Sequence, residues 1–305
     1  MVIPATRARA ILVARSACHV GHGPGVATST NGWVDFTGEG RYQSRDAGVD
    51  TSRRERSRQA PFARVAPRLT GGPPRVHLRD VRERYAEPGN VDEVVDSLLR
   101  TVEGSRGRRP LPDLQRAALV VLDLQAVFVD PESPAFLPSW PAFAPRLELL
   151  VTAFRHAGRP VIRTRHSHPE DDEGGTIGHL FGRLIVDADP LAGFGTGHGA
   201  NPGEITVVKS RHSAFAGTGL ADRLEHLGVS AVVLAGVQAQ LCVLATAVEA
   251  GSHDLLPVVA ADAVAAPDLA GHAASLQALA GGLAWIATAD EIAASISRHA
   301  AGRHG

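Results

Sequence analysis

Short apolar runs alternate with amphipathic stripes along most of the chain from residue 117 onward. Runs without polar alternation are typical of strands in a parallel sheet, which helices cover on both faces. Between the runs, apolar residues recur every three or four positions, as on one face of a helix. The pattern predicts strands at residues 117–122, 160–164, 205–208, 231–235, 255–261 and 283–288, and helices at residues 145–157, 220–227, 242–250 and 268–280 and from Asp290.

The predicted fold class is α/β, a three-layer α/β/α sandwich around a mostly parallel sheet of about six strands. We assign this domain to residues 111–300. The ligand site of such a sheet lies beyond the carboxyl ends of its strands.

A helix and a linker are predicted before this domain, over residues 89–110. Asn90 is a suitable N-cap, Gly104 is placed to end the helix, and residues 105–110 read as the linker. The stripe that predicts the helix consists of Val91, Val94, Val95, Leu98, Leu99 and Val102.

Residues 1–88 have the composition of a disordered basic arm. They are rich in Gly, Pro, Ser and Arg and show no sustained period, so they cannot bury enough apolar surface to offset the entropy of ordering. Residues 1–110 carry 19 Arg against 12 acidic residues, whereas residues 111–305 carry 12 basic and 20 acidic ones. No aromatic platform accompanies the arginines, so nucleic acid is an unlikely partner of the arm.

Several classes of protein are excluded by the sequence. No apolar run approaches the ~18 residues that a membrane span requires, and the apolar segment near the N-terminus is too short for a secretory signal. Cys18 and Cys242 do not form a disulfide framework. We therefore expect a reducing, cytoplasmic location.

Three reactive side chains follow predicted strands. Asp123 ends the first strand, Lys209 ends the third, and Cys242 lies shortly after the fourth, at the start of a helix. Each has an ordinary structural explanation as well: a turn cap, a surface charge and a small buried side chain. Together they are the groups that nucleophilic acyl transfer requires.

Lys209 carries a further argument, since every other basic side chain among the 31 is Arg. A position that keeps Lys in such a chain favours a compact ammonium with an adjustable pKa.

The sequence around these residues resembles the isochorismatase-like cysteine hydrolases. The resemblance spans roughly residues 115–290 in the order and spacing of that family, and residues 1–90 lie outside it. The matching segments are residues 120–125 with Phe128, residues 207–215 with Thr218 and Leu220, residues 234–243 with Thr246 and Ala247, and, more weakly, residues 258–263.

The resemblance implies a triad of Asp123, Lys209 and Cys242. In this scheme the Cys thiolate attacks an amide-type carbonyl, Asp123 accepts the thiol proton, and Lys209 keeps the Asp ionised. A helix N-terminus favours the anionic thiol. The family also implies a cis peptide at Val237–Gln238, with the backbone N–H groups of Gln238 and Cys242 as the oxyanion hole. Departure of the amine leaves a thioester that water cleaves.

The branch of the family is less defined by the sequence. Cys242 disfavours a vinyl-ether isochorismatase, which needs no Cys. Nicotinamidases hold a metal with an Asp and two His, but His166 stands where the Asp belongs, and only His168 matches. We therefore predict no metal and no other cofactor, while two His at i, i+2 keep a metal as the alternative.

The candidate substrate contacts are Gln125, Phe128, Arg165, His166, His168, Asp171, Asp172 and Phe215. The carboxylates at 170–173 form either an ordinary solvated loop or a negative rim that attracts a cation. The second alternative favours an amino-bearing amide or lactam, such as a streptothricin-type antibiotic. If Arg165 instead holds a carboxylate, a carbamoyl amine or carbamoyl amino acid is the substrate.

A function of another class is a catalytically idle binding or assembly module whose arm contacts an acidic partner. We expect a homo-oligomer, a dimer or tetramer, without membrane or nucleic-acid partners.

Overall fold

A computed structural model describes residues 82–106, 110–181 and 183–301 of the chain. The predictions for residues 1–81 and for the linker residues 107–109 lie outside these ranges. Within them, no helix is both long and apolar enough to cross a membrane.

Six parallel strands form one sheet, in the order β3-β2-β1-β4-β5-β6. The chain therefore builds outward from β1 to one edge, returns to the centre, and continues with β4 to the other edge. The topological switch point, where such sheets bind ligands, lies between the carboxyl ends of β1 and β4. The strands are β1 Ala117–Leu122, β2 Val161–His166, β3 Ile205–Lys209, β4 Ala231–Val237, β5 Leu256–Ala265 and β6 Trp285–Ala287.

Helices cover both faces of the sheet, which confirms the three layers predicted from the apolar runs. One core cluster joins α4 and α9 to the odd-numbered residues of β1, and the other joins α6, α7 and α8 to its even-numbered residues. Every residue of β1 and β4 is buried. The helices are α1 Val91–Arg100, α2 Glu103–Arg106, α3 Ala126–Val129, α4 Trp140–His156, α5 Gly175–Phe181, α6 Leu220–His226, α7 Leu244–Ser252, α8 Leu269–Ala280 and α9 Ala289–Ala301.

Residues 83–86, which the prediction assigned to the arm, contact the α/β domain. The backbone N–H of Glu83 donates to the Pro267 carbonyl at 2.8 Å, and the Ser139 hydroxyl donates to the Glu83 carbonyl at 3.0 Å. The Tyr85 hydroxyl lies 3.0 Å from Nδ1 of the buried His272. These contacts are tertiary and follow no period, so pattern analysis does not detect them.

The start and the end predicted for the first helix differ from those observed. The Asn90 side chain accepts from the Glu87 N–H at 2.7 Å, so it caps the preceding turn, and α1 has no side-chain cap. Gly104 lies inside α2 and does not end a helix.

Four of the described strands, β2 to β5, continue beyond their predicted ends, whereas β1 ends at Leu122 as predicted and β6 is shorter than predicted. β2 extends to His166, β3 to Lys209 and β4 to Val237, beyond the predicted ends at 164, 208 and 235. The extra residues are polar or follow a glycine, so hydrophobicity alone does not reveal them. His166 is paired to Lys209 across β2 and β3, whereas the pairing of β4 with β5 shifts register between Leu234 and Gly236.

Candidate active site

Asp123 turns the chain directly after the central strand β1. Its backbone has a φ of +52°, uncommon for a residue with a side chain, and its side chain is fully buried. Thr164 on β2 binds it twice: the Thr hydroxyl donates to Oδ1 at 2.6 Å and accepts from the Asp123 N–H at 3.2 Å. The carboxylate is thus fixed from the neighbouring strand.

Lys209, the last residue of β3, extends its ammonium into the same place. Nζ lies 2.8 Å from Oδ2 of Asp123 and 3.3 Å from Sγ of Cys242. It also donates to the Arg211 carbonyl at 3.0 Å, and Nδ1 of His166 lies 3.4 Å away. The ammonium is almost fully buried, so these contacts stand in for the water that would otherwise solvate it.

Cys242 reaches the site through an irregular turn after β4. The Val237–Gln238 peptide is cis, as the sequence led us to expect, and Gln238 is extended. A π-helical turn then spans Ala239–Val243 and carries Cys242, before α7 begins at Leu244. The structure therefore brings the three predicted catalytic side chains together at the switch point.

Burial and mutual charge set the protonation of these three groups. Burial alone raises the pKa of Asp123, but the charge of Lys209 and hydrogen bonds, first from Cys242, hold it below its ordinary value. Burial is the largest single influence on Lys209 and lowers its pKa, but the charge of Asp123, together with smaller contributions from Cys242 and hydrogen bonds to both, raises the pKa above its ordinary value. The site therefore holds an ion pair.

The thiol beside this pair is neutral at rest. Burial, reinforced by the charge of Asp123, raises the pKa of Cys242 to about 12, although Lys209 acts in the opposite direction. Any effect of a helix N-terminus in favour of the thiolate is outweighed here by burial and the adjacent carboxylate. The thiol must lose its proton as it reacts.

Gln125, one of the predicted substrate contacts, is bonded to backbone groups. Its side chain is fully buried; Nε2 donates to the carbonyls of His166 and Ala192 at 2.9 and 2.6 Å, and Oε1 accepts from the His166 N–H at 2.7 Å. Both N–H donors of the amide are used and its oxygen accepts one bond, so Gln125 fixes the backbone at the end of β2.

The two predicted aromatic contacts and Arg165 are also engaged elsewhere. Phe128 packs against the core cluster on the α4 face. Phe215 is buried in the other cluster, with its ring 5.1 Å from that of His253. Arg165 alternates with Thr164 along β2 and pairs with Asp187 at 3.4 Å.

His166, His168 and Asp172 form a line that starts at Lys209. Nε2 of His166 lies 3.1 Å from Nε2 of His168, whose Nδ1 lies 2.9 Å from Oδ2 of Asp172. His168 is fully buried, whereas Asp171 is exposed on the loop. Burial first, and then the charge of Lys209, lower the pKa of His166 to about 4, so its ring is neutral.

Sequence reasoning missed two further groups at the site. Thr164 could have been found, because strand alternation places it on the same face as His166. His212 lies close enough to Lys209 for the ammonium to lower the pKa of its imidazole, after the larger effect of burial, and its ring packs edge-on against Phe181 at 5.9 Å. Its position depends on the loop after β3 and left no sequence signal.

The metal alternative finds little support in the donor arrangement. Across residues 82–106, 110–181 and 183–301, no group of three or more His, Cys, Asp or Glu side chains is arranged to hold an ion. His166 and His168 approach each other through their Nε2 atoms, and no third side chain completes a set.

The fold and the site define a parallel α/β protein with a thiol, a carboxylate and an ammonium at its switch point. The family model described as the isochorismatase domain matches residues 117–291, and the chain belongs to the isochorismatase family. This confirms the resemblance noted from the sequence.

The relatives include amidohydrolases, beside proteins named as isochorismatases. The chain is 30% identical over 162 residues to maleamate amidohydrolase from Pseudomonas putida, covering 52% of this chain and 73% of that protein. It is 30% identical over 197 residues to nicotinamidase 3 from Arabidopsis thaliana, covering 62% and 93%. Such relatives confirm the predicted class, hydrolases of carbon–nitrogen bonds outside peptides.

Solved structures share the fold. A cysteine hydrolase from Pseudomonas syringae pv. phaseolicola superposes with a TM-score of 0.59 at 22% identity, covering 62% of this chain and 96% of that one. N-carbamoylsarcosine amidase from Thermoplasma acidophilum superposes with a TM-score of 0.51 at 27% identity, covering 57% and 97%.

Proposed function

We propose that this protein hydrolyses an amide-type carbon–nitrogen bond of a small molecule through a thioester on Cys242. The observation that carries the proposal is the position of Lys209 Nζ, 2.8 Å from the carboxylate of Asp123 and 3.3 Å from Sγ of Cys242. A structural ion pair needs no thiol beside it, whereas acyl transfer needs all three groups. Family membership and the amidohydrolase relatives support the same chemistry.

The proposed reaction starts from the neutral thiol and the ionised carboxylate. Sγ of Cys242 attacks the carbonyl carbon while Asp123 takes the thiol proton, so the carboxyl becomes neutral and the substrate oxygen becomes an oxyanion. The backbone N–H groups of Gln238 and Cys242 stabilise that oxyanion. As the carbonyl re-forms, the carbon–nitrogen bond breaks and the amine leaves with the proton from Asp123.

Water completes the cycle. The regenerated carboxylate of Asp123 accepts a proton from a water molecule that attacks the thioester carbonyl, and the carbon–sulfur bond breaks to release a carboxylic acid. The thiolate recovers its proton from Asp123. Throughout, the ammonium of Lys209 keeps Asp123 a weak enough base to release each proton it takes.

Trapping the thioester tests the proposal directly. The full chain is mixed with primary amides, carbamoyl amines and amino-bearing lactams, and the intact mass is measured within the first turnovers. We expect a substrate adduct on Cys242, lighter than the substrate by ammonia or amine for open-chain amides. A Cys242→Ser variant should lose turnover by at least about 1,000-fold and keep its fold. Undiminished turnover by Cys242→Ser would refute the cysteine mechanism.

The identity of the substrate is a finer proposal. Glu170, Asp171 and Glu173 are exposed on the loop after β2, and their charges favour an amine-bearing lactam or amide, of which a streptothricin-type antibiotic is one example. If so, kcat/KM for a cationic amide should fall with ionic strength, and less steeply in Glu170→Gln/Asp171→Asn. A kcat/KM that salt leaves unchanged would contradict the cationic substrate.

The carbamoyl alternative predicts a different result. It needs Arg165 to leave its 3.4 Å pairing with Asp187 and bind a substrate carboxylate. An Arg165→Gln variant should then raise KM for carbamoyl amino acids but not for nicotinamide. If no compound in the panel is turned over although Cys242 is intact, the binding-module hypothesis gains support.

We also propose a homo-oligomer in a reducing, cytoplasmic location. Both rest on the family resemblance and on the small number of cysteines in the sequence. Light scattering during gel filtration measures the first, and fractionation of the native cells measures the second.

A further inference from the structure

Four polar groups form a hydrogen-bonded line from the proposed catalytic centre to the loop after β2. The line begins at Nζ of Lys209, which lies 3.4 Å from Nδ1 of His166. It continues through the His166 ring to Nε2 of His168 at 3.1 Å, and from Nδ1 of His168 to the carboxylate of Asp172 at 2.9 Å. Each histidine uses both ring nitrogens, so the tautomer of one ring constrains that of the other.

The two ends of the line fix the direction of every hydrogen bond. Lys209 is an ammonium, which only donates, and an ionised carboxylate such as that of Asp172 only accepts. Hydrogen bonds from His168 and from the Gly174 N–H, with burial opposing, lower the pKa of Asp172 and keep it ionised. Nδ1 of His168 must therefore carry its hydrogen, and Nδ1 of His166 must be bare.

The contact between the rings then has one consistent solution. A neutral His168 with its hydrogen on Nδ1 has a bare Nε2, which accepts from Nε2–H of His166. A protonated His168 would donate at that contact and force a hydrogen onto Nδ1 of His166, facing the hydrogens of Lys209.

We infer that Asp172 is a positioning residue that holds the Lys209 ammonium through the tautomers of His168 and His166. Nζ has three hydrogens and four neighbouring acceptors, and Asp123 and the Arg211 carbonyl are the two nearest. His166 and Sγ of Cys242, at 3.4 and 3.3 Å, compete for the third hydrogen. While the thiol is neutral, the bare Nδ1 of His166 accepts the third hydrogen. Once Cys242 loses its proton, the thiolate becomes the stronger acceptor for that hydrogen.

The surroundings hold this line in place. The second oxygen of Asp172 accepts from the Gly174 N–H at 2.8 Å. The backbone of His168 is paired on both sides, donating to the Ile185 carbonyl at 2.8 Å and accepting from the Asp187 N–H at 2.9 Å. The backbone of His168 is therefore fixed independently of the partners of its ring.

Nitrogen chemical shifts of the two imidazoles test the inference on the unmodified chain. The protein is labelled with ¹⁵N-histidine, and long-range proton–nitrogen spectra distinguish bare from protonated ring nitrogens. His166→Asn and His168→Asn variants assign the signals. We expect a hydrogen on Nε2 of His166 and on Nδ1 of His168. Bare Nε2 atoms on both rings, or a shift of both on adding Zn²⁺, would overturn the inference in favour of a metal pair.

Kinetics test the consequence, which rests on the proposed function. Asp172→Ala should lower kcat about tenfold with KM little changed. A loss of this size is typical when a group that orients a functional side chain is removed. The variant should also move the hydrogen of His168 to Nε2. Asp113→Ala is the matched control, because Asp113 makes the same bond to a backbone N–H two residues on, at 2.9 Å, away from any histidine of the line.

The outcomes separate the two proposals. An unchanged kcat in Asp172→Ala with altered tautomers would refute the positioning role, and an equal loss in Asp113→Ala would reduce it to general destabilisation. If Cys242→Ser keeps turnover, the proposed function fails, whereas the tautomers of the line are still measured by the spectra.

Discussion

Replacing His272 should remove an acid-sensitive component of stability. This imidazole on α8 is fully buried, and burial lowers its pKa to about 4 from an ordinary 6.5. Between pH 4 and pH 6.5, His272 therefore binds a proton in the unfolded chain but stays neutral in the folded chain. Its contribution to the free energy of unfolding is complete above pH 6.5, decreases as the pH falls through this window, and levels off below pH 4.

The magnitude follows from the size of the shift. One pKa unit corresponds to 1.36 kcal/mol, so a displacement from 6.5 to about 4 amounts to about 3 kcal/mol over the full window, of which about 2 kcal/mol is lost by pH 5. Tyr85 supports the neutral ring, since its hydroxyl donates to Nδ1 and accepts from the Ala266 N–H at 3.2 Å. Removal of the ring alone would leave that hydroxyl without an acceptor.

The assay is urea unfolding at pH 7.5, 6.0 and 5.0 for the native chain and for His272→Phe/Tyr85→Phe. The double variant removes the titrating ring together with its hydroxyl partner. The native chain should lose about 2 kcal/mol more than this variant between pH 7.5 and 5.0, because all other titrations cancel in the difference. Tyr85→Phe alone is the control that keeps the imidazole. Equal losses in the native chain and the double variant would refute the reasoning.

Three further outcomes are expected. Gly236→Ala should destabilise the sheet and abolish turnover, because a Cβ there would lie 2.7 Å from the backbone nitrogen of Leu122 and closer still to its carbonyl oxygen. Gly217 also has a positive φ but lies in open space, so Gly217→Ala is the control and should lower the free energy of unfolding by only about 1–2 kcal/mol. A chain lacking residues 1–81 should keep its unfolding midpoint, whereas one lacking residues 1–88 should lose several degrees, as thermal unfolding will show. Iodoacetamide should alkylate Cys242 about 1,000-fold more slowly at pH 8 than a thiol of pKa 9.0. The rate, measured from the mass of the alkylated peptide, should still rise tenfold per pH unit at pH 10. A plateau near pH 9 would contradict the raised pKa.

The position of the candidate site was predictable because it follows from topology. Parallel strands bring their carboxyl ends to one edge, so Asp123 after β1 and Lys209 after β3 had to face the same region once the sheet was recognised. In the strand order β2 lies between β1 and β3, and its Thr164 and His166 fill the space between Asp123 and Lys209.

The use of each polar side chain was not predictable in the same way. Gln125 stands in a motif beside Asp123, yet it points inward because three backbone groups near β2 need partners. Tyr85 lies in a stretch without period and still packs beside a buried histidine. Such choices depend on which groups the fold leaves unsatisfied, and local patterns contain no information about those groups.

The chemistry of the site also explains why a chain that otherwise uses Arg keeps one Lys. A planar guanidinium directs its hydrogens in a fixed fork, whereas an ammonium points three hydrogens out of one plane and can serve Asp123, the Arg211 carbonyl and a third acceptor at once. Because the ammonium is buried, its removal leaves the Asp123 charge without its partner, at a cost of about 3–5 kcal/mol. A loss of activity on replacing Lys209 alone therefore mixes stability with catalysis. Replacing Asp123 and Lys209 together by neutral side chains leaves no unpaired charge, so this double variant should keep its stability. If the stable double variant still has no activity, the ion pair takes part in the reaction.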